Sequence, residues 1–479
     1  MPETKIALAR PFEGAPKINL ANLVGAAPKK PFLLRIPVTG ERPITCRAQG
    51  LPAGISLDGQ IISGIFDEAG EYDVTLTVEN AKGSCQKTVR FEIGEGKLLP
   101  TPLLGFTTWN AFGSDVSQKD VVATAKKLVE LGITEYGYGY MNTDSGWQGE
   151  YGGKYDAVMP NAKFPDMKAM TDEIHALGLR AGIYSTPMLT AWGCPKEFKS
   201  IPGCTVGDPD PRFTDTNGGI GLIHKEKNNV LQWTDWGFDY LKYDWRPTDT
   251  VNAELMRSEL VKSSREFAFC VTVDALPQYH GYWSRFVNSY RCNWDALGFW
   301  SNLLLVYESY FKFMEYNCKG HFFDLDMLDT GTCRCGDVKN ELTEDEMILA
   351  YTMRACLNSP IQISSSLERI DDFELSLYCN DEMIEINQDT AFSLSLPILR
   401  EKGIDVFEKK LADGSYAYAY FCIGEETVET VASLASPCTP RDVWAKEDLA
   451  ETDRLVITHR PHTARVIRSA SRISRIALA

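Results

Sequence analysis

From residue 103 onward, short apolar runs alternate with longer stretches of helical period, a pattern of repeated βα units. Candidate strands cover residues 104–109, 138–144, 179–185, 238–244, 267–274, 286–292, 321–326 and 361–365. Eight strands of this kind predict a closed (β/α)8 barrel, with an open doubly wound sheet as the structural alternative. Helix signals fall between them. Ser117 and Asp120 make a capping-box-like start that Gly132 ends, and Thr343 with Glu346 opens another helix.

The pattern differs on both sides of this region. Residues 32–38, 44–48, 61–65, 72–78 and 87–93 alternate with period two between turn residues, as in an all-β sandwich. Beyond residue 389 the helical period stops, and stretches such as 414–422 and 454–458 alternate again. The expected organisation is a β-sandwich over 1–96, a barrel over 97–390 and a C-terminal β-sandwich domain over 391–479. A chain of 479 residues has room for about two or three domains.

Polar residues cluster where the candidate strands end. Trp109, Asp144, Tyr184, Asp244, Asp274 and Asp326 all sit at or near a C-terminal end, which in a (β/α)8 barrel forms the active-site mouth. In the run 238–245, alternation turns Tyr240, Lys242 and Asp244 to one face. A lysine and an aspartate facing inward on a core strand are costly unless they meet partners or a ligand. Asp295 follows the sixth strand, so two carboxylates approach one mouth, and glycoside hydrolysis is the commonest use of such a pair. Taken singly, Asp244 also reads as a strand-end cap or an ion-pair partner of Lys242, and Asp295 as the N-cap of the next helix. The connection 187–227 is long, rich in Pro, Gly and Asp, and expected to overhang the mouth.

Charge and composition remove several classes. Lys plus Arg number 49 against 65 Asp plus Glu, a net charge of -16 with no basic run, which argues against nucleic acid or an anionic membrane as partner. No stretch is long and apolar enough for a transmembrane helix. The 6 histidines show no paired ligand spacing, so no metal site is expected. The 13 cysteines are odd in number and scattered, with Cys333 and Cys335 a lone CxC on a loop. With no signal peptide at the N-terminus, this predicts a cytoplasmic protein, or a secreted one if a signal was trimmed. A homo-oligomer is open to it.

Six motifs, in order, resemble glycoside hydrolase family 27, the melibiase or α-galactosidase family. Gly105-Phe106-Thr107-Thr108-Trp109-Asn110 resembles its GWNSWN, and Asn142-Thr143-Asp144-Ser145-Gly146-Trp147 its NxDDCW. Gly178 to Tyr184 is similar to GLKxGIY, and Trp236 to Asp244 to WGVDYLKYD. Phe323-Asp324-Leu325-Asp326-Met327-Leu328 resembles NDPDML, and Ile386-Asn387-Gln388-Asp389 resembles INQD. Residues 34–54 resemble the Ig-like module that precedes the barrel in some bacterial members.

The resemblance implies a retaining exo-glycosidase acting on an oligosaccharide or glycoside, on a TIM barrel flanked by an Ig-like β-sandwich and an antiparallel β-domain. It implies no metal or organic cofactor. Asp244 takes the place of the nucleophile and Asp295 that of the acid/base, with Arg291 before it and Trp300 after it as in the family. Asp144 and Lys242 are placed on the sugar's axial O4 and its neighbour, Trp109 on the pocket wall, and Tyr184 in the pocket. Arg291 and Asp274 are placed near the C2 substituent, and Asp326 behind them as a structural residue.

Four positions depart from the family. Ser145 replaces an aspartate on the O4/O6 side of galactose, which leaves room for another C5 or C6 group. Gly146 replaces a cysteine, and Trp245 and Trp294 adjoin the two catalytic aspartates, predicting a reshaped leaving-group region. Terminal α-galactosyl residues are therefore the first expectation. A β-L-arabinopyranosidase or α-N-acetylgalactosaminidase is the alternative, and a non-catalytic carbohydrate-binding protein comes third.

Overall fold

The computed structural model of the chain describes residues 2–191, 201–331 and 340–479; Cys333 and Cys335 lie outside them. Eight parallel strands follow in chain order: β1 (Leu104–Thr107), β2 (Tyr140–Asn142), β3 (Arg180–Ser185), β4 (Tyr240–Asp244), β5 (Ala268–Thr272), β6 (Ser289–Tyr290), β7 (Phe322–Phe323) and β8 (Ile361–Ile363). From β1 to β7 each pairs with the next, and β8 pairs back onto β1 with Leu104 opposite Ile361. The ladder is thinnest between β7 and β8. There a single parallel bridge joins Leu328 to Ile363, with Leu328 N donating to Gln362 O at 2.8 Å. That contact closes the ring. The molecule has a (β/α)8 barrel rather than an open sheet.

β7 is short because Asp326 takes φ 67, the left-handed region, and leaves the ladder. The irregular segment is held by Arg354 of the helix Glu344–Cys356. Its buried guanidinium donates to the carbonyls of Leu325, Asp326 and Met327 at 3.0, 2.9 and 2.6 Å. Backbone carbonyls thus replace the water this cation has lost.

The alternation read in β4 sets its two faces. Leu241, Tyr243 and Trp245 pack outward into the main apolar core between strands and helices. Tyr240 points inward to a small floor cluster with Tyr140 and Cys270. The helix signals also hold: Ser117 and Asp120 cap Gln118–Glu130 reciprocally, as Thr343 and Glu346 cap Glu344–Cys356. Strands run shorter than the apolar pattern suggests. Trp109, Asp144, Asp274 and Asp326 all lie past the last ladder residue, and Trp109 opens the one-turn helix Trp109–Phe112.

The N-terminal sandwich sets Leu23–Ala26, Gly83–Ile93, Gly70–Asn80 and Thr45–Gln49 against Pro31–Arg35, Ile61–Ile65 and Ile55–Asp58. Ile36, Ile62, Val74, Leu76, Val89 and Phe91 fill the space between the two sheets. The sandwich seats on the end of the barrel opposite the mouth. Arg180 Nε donates to Leu33 O at 3.0 Å, Ala27 N to Glu266 Oε2 at 2.9 Å, and Asn288 Nδ2 to Leu98 O at 3.1 Å. The first residues do not join it: Thr4 N bonds Asp345 Oδ1 at 3.0 Å and Ala9 N bonds Ser376 Oγ at 2.9 Å, both on barrel helices.

The C-terminal domain stacks a six-stranded antiparallel sheet on a three-stranded one. It packs against barrel helices through Trp444 Nε1 to Thr352 Oγ1 at 2.9 Å and Tyr307 OH to Asp405 Oδ2 at 2.6 Å. Trp300 stacks on His462 with ring centroids 3.8 Å apart.

One carboxylate carries much of the sandwich interface. Glu135, 1% exposed, enters from the barrel and receives Arg35 Nη2 at 2.7 Å, Gln60 Nε2 at 2.9 Å and Val38 N at 3.1 Å. Removing one partner of a buried ion pair costs roughly 3–5 kcal/mol. Glu135→Ala is expected to split thermal unfolding so that the sandwich melts first. A single transition at the unaltered temperature in scanning calorimetry would count against that role.

Candidate active site

β4 ends in the two residues on which the mouth is built. Lys242 Nζ lies 2.7 Å from Asp144 Oδ2, an ion pair between β4 and the loop after β2. Asp144 is fixed from its other sides by Ser145 N to Oδ1 at 2.7 Å and by its own N–H to Thr108 Oγ1 at 2.9 Å. Ser145 thus supplies a backbone donor to the carboxylate before it. Burial works against the charge on Lys242, but Asp144 and Asp244 outweigh it and raise its pKa above the ordinary lysine value.

Asp244 differs from the carboxylates around it. Tyr184 OH donates to its Oδ2 at 2.9 Å, while its Oδ1 is buried without a hydrogen-bond partner. Burial pushes its pKa up to about 7; Lys242 and Arg291 pull it down, and Asp295 and Asp144 push it up. Asp244 does not form the close ion pair with Lys242, because Asp144 occupies that ammonium. Nor does it cap the next helix, which Asp249 does.

Asp295 follows β6, with its side chain 37% exposed at the mouth. It receives Arg291 Nη2 at 2.5 Å. It is not a helix cap: Trp300–Tyr310 begins after Phe299, with no side-chain cap. The guanidinium of Arg291 is buried and spans two carboxylates, with Nη1 2.7 Å from Asp326 Oδ1. Asp326 also accepts Ala296 N at 2.6 Å, so its left-handed turn serves to hold Arg291 and the Asp295 loop together. Burial opposes the charge of Arg291, but Asp326, Asp295 and Asp244 outweigh it and raise its pKa.

The remaining expected residues spread around this group. Tyr184 is buried against the nucleophile candidate and also faces Lys242, whose Nζ is 5.5 Å from its ring centroid. Trp109 is half-buried beside β1. Asp274, after β5 at φ 58, is tied to Arg246, with Nε 2.5 Å from Oδ2, rather than to Arg291. The guanidinium of Arg246 lies 4.9 Å from the ring centroid of Trp294. The connection after β3 does reach this side: beyond residue 200 it forms the hairpin Thr205–Pro209 with Gly221–His224, and Asn217 N donates to Arg246 O at 3.0 Å.

Sequence reasoning missed Thr108, Arg246 and Asp324. Burial pushes Asp324, on the barrel floor, up to about 6, with Asp326 adding to the effect. Arg246 could have been noted from its place two residues past Asp244, one turn of alternation beyond the strand.

The arrangement couples a buried carboxylate with one unengaged oxygen to a second, solvent-reaching carboxylate in the same field. Two cations sit beside them. That is the equipment of acid-assisted displacement at an acetal carbon.

Comparison with known proteins agrees with this geometry. The He_PIG family model, an Ig domain, matches residues 17–94. Over 373 residues the chain is 28% identical to α-galactosidase A of Cellvibrio japonicus, covering 74% of this chain and 82% of that one. Two candidate α-galactosidases of Bacteroides fragilis superpose with a TM-score of 0.84 at 26% and 28% identity. They cover 97% and 96% of this chain, and 99% and 98% of their own. A family-27 β-L-arabinopyranosidase of Geobacillus stearothermophilus, at 21% identity and TM-score 0.69, shares the fold. Over most of its length the chain is thus similar to α-galactosidases and to enzymes of glycoside hydrolase family 27.

Proposed function

We propose that the protein is a retaining exo-glycosidase that removes terminal α-galactosyl residues from oligosaccharides or glycosides. The observation that carries this reading is the division of labour on Asp244: one oxygen held by Tyr184, the other buried and unengaged. In the first step Oδ1 of Asp244 attacks the anomeric carbon while Asp295 protonates the departing glycosidic oxygen. The C–O bond to the leaving group breaks and an ester to Asp244 forms. In the second step Asp295 takes a proton from water, which attacks the same carbon and returns Asp244 to its carboxylate. Two inversions leave the anomeric configuration retained.

Lys242 and Asp144 grip ring hydroxyls through charge-assisted hydrogen bonds, which reject an isomer whose hydroxyl is misplaced. Trp109 supplies an apolar wall, and Arg291 holds the acid/base loop in place. Ser145 leaves the C6 side of the site without a second carboxylate.

Among nitrophenyl glycosides, the α-galactoside is expected to give the highest kcat/KM, with product NMR showing the α-anomer first. A large preference for the β-L-arabinopyranoside overturns the sugar assignment, and binding without hydrolysis overturns the enzyme.

Asp244 must be ionised to attack, and its pKa is raised to about 7. For the free enzyme, kcat/KM should therefore drop about tenfold per pH unit as pH falls below about 7. An acid limb near pH 4 would show that Asp244 does not set it.

The same group links pH to stability. Between its unfolded pKa and its raised folded value, the native state holds a proton that the unfolded chain has released, so stability falls as pH rises through that window. Asp244→Asn should lower kcat by at least about a thousandfold. It should also raise the melting temperature at pH 8 while changing it little at pH 4.5. Full turnover in this variant refutes the nucleophile.

A further inference from the structure

The C-terminal domain reaches the helix behind Asp295 through a single ring. His462 lies in the turn between the strands Thr452–His459 and Thr463–Ser469, and its ring stacks on Trp300 with the planes 19° apart. Trp300 is the first residue of the helix Trp300–Tyr310, which follows directly on the Asp295 loop. That helix start is where the loop is tied. Asn302 accepts Leu297 N at 2.7 Å through Oδ1 and donates to Asp295 O at 3.0 Å through Nδ2. One side chain of the first helical turn thus spans the loop. The turn has no side-chain cap of its own, because Phe299 stands at the N-cap. Tertiary packing holds it instead, and from the C-terminal domain that packing is the stack of His462 on Trp300.

His462 adopts a strained backbone for this contact. It takes φ 59, directly after Pro461, at a position whose left-handed conformation favours glycine. The chain places a histidine there and fixes its ring on both edges. Nδ1 lies 2.7 Å from Glu346 Oε1, and Nε2 lies 3.3 Å from Glu425 Oε1. Glu346 is buried and locked in the capping box of the barrel helix Glu344–Cys356. A left-handed residue other than glycine persists where its surroundings over-determine it, and such strain clusters where a side chain has a use. Here two carboxylates hold the edges of the ring while its face meets Trp300.

We propose that His462 is a positioning residue for the acid/base. Through Trp300 and Asn302 it fixes the loop that carries Asp295, and with it the direction from which the proton is delivered. The inference rests on the functional reading above, in which Asp295 protonates the departing oxygen. Proton transfer requires the acid within hydrogen-bond reach of that oxygen, so a loosened loop slows only the steps that need the acid.

The test uses two α-galactosides that differ in how far the leaving group needs a proton. The oxygen of methyl α-galactoside must be protonated as it departs, whereas the phenolate of dinitrophenyl α-galactoside leaves unaided. His462→Gly suits the backbone and removes the ring. In this variant kcat/KM for the methyl glycoside should fall about tenfold, while that for the dinitrophenyl glycoside stays within about twofold. His462→Phe, which keeps a flat ring on Trp300, should hold both within about threefold. Asp295→Asn serves as the reference and should show the same selective loss, only larger. If Asp295→Asn is selective and His462→Gly is not, whether its two values are unchanged or fall together, the positioning role is overturned and the functional reading stands. A loss in His462→Phe equal to that in His462→Gly overturns the stack as its carrier. If Asp295→Asn is not selective, or the unaltered enzyme cleaves neither substrate, the functional reading fails and takes this inference with it.

Discussion

Two buried cations hold the mouth of this barrel together. Lys242 pairs with Asp144, Arg291 bridges Asp295 and Asp326, and Asp244 lies in the field of both. Four carboxylates share two cations, so the carboxylate without a close cationic partner carries the poorest compensation. That group is Asp244. Its position explains why burial raises its pKa while Lys242 and Arg291 keep their charge. A carboxylate poised near neutrality follows from a local imbalance of charge rather than from any one contact.

The cations need a rigid frame, and the thin seam of the barrel supplies it. Arg354 fixes the carbonyls of Leu325, Asp326 and Met327, and Asp326 then fixes both Arg291 and the backbone at Ala296. A strained left-handed residue at a site of function persists because several bonds over-determine it. The sandwich lies at the opposite end of the barrel and touches none of these groups. Its contribution is to cover that end of the barrel through Glu135 and its neighbours.

The relation between Asp274 and Arg246 changes how specificity reads in this chain. The family resemblance places Asp274 with Arg291 near the C2 substituent of the sugar. In three dimensions the chain pairs it with Arg246, whose guanidinium lies over the ring of Trp294. Trp294 stands directly before Asp295, half-exposed, with the guanidinium of Arg246 over its ring.

Much of the fold was legible in one dimension. Period-two runs separated by helical ones dictate βα units, because each apolar face must be buried. The capping boxes at Ser117 and Thr343 are local chemistry, satisfied within four residues. Inward-facing Lys242 and Asp244 could likewise be read from alternation along β4 alone. What only tertiary structure decided is which charges meet. Thr108 on Asp144, Tyr184 on Asp244 and Asp326 on Arg291 join residues about 30 to 60 positions apart. No local pattern encodes such pairings, since they arise when the barrel closes and low dielectric makes each unpaired charge seek a partner.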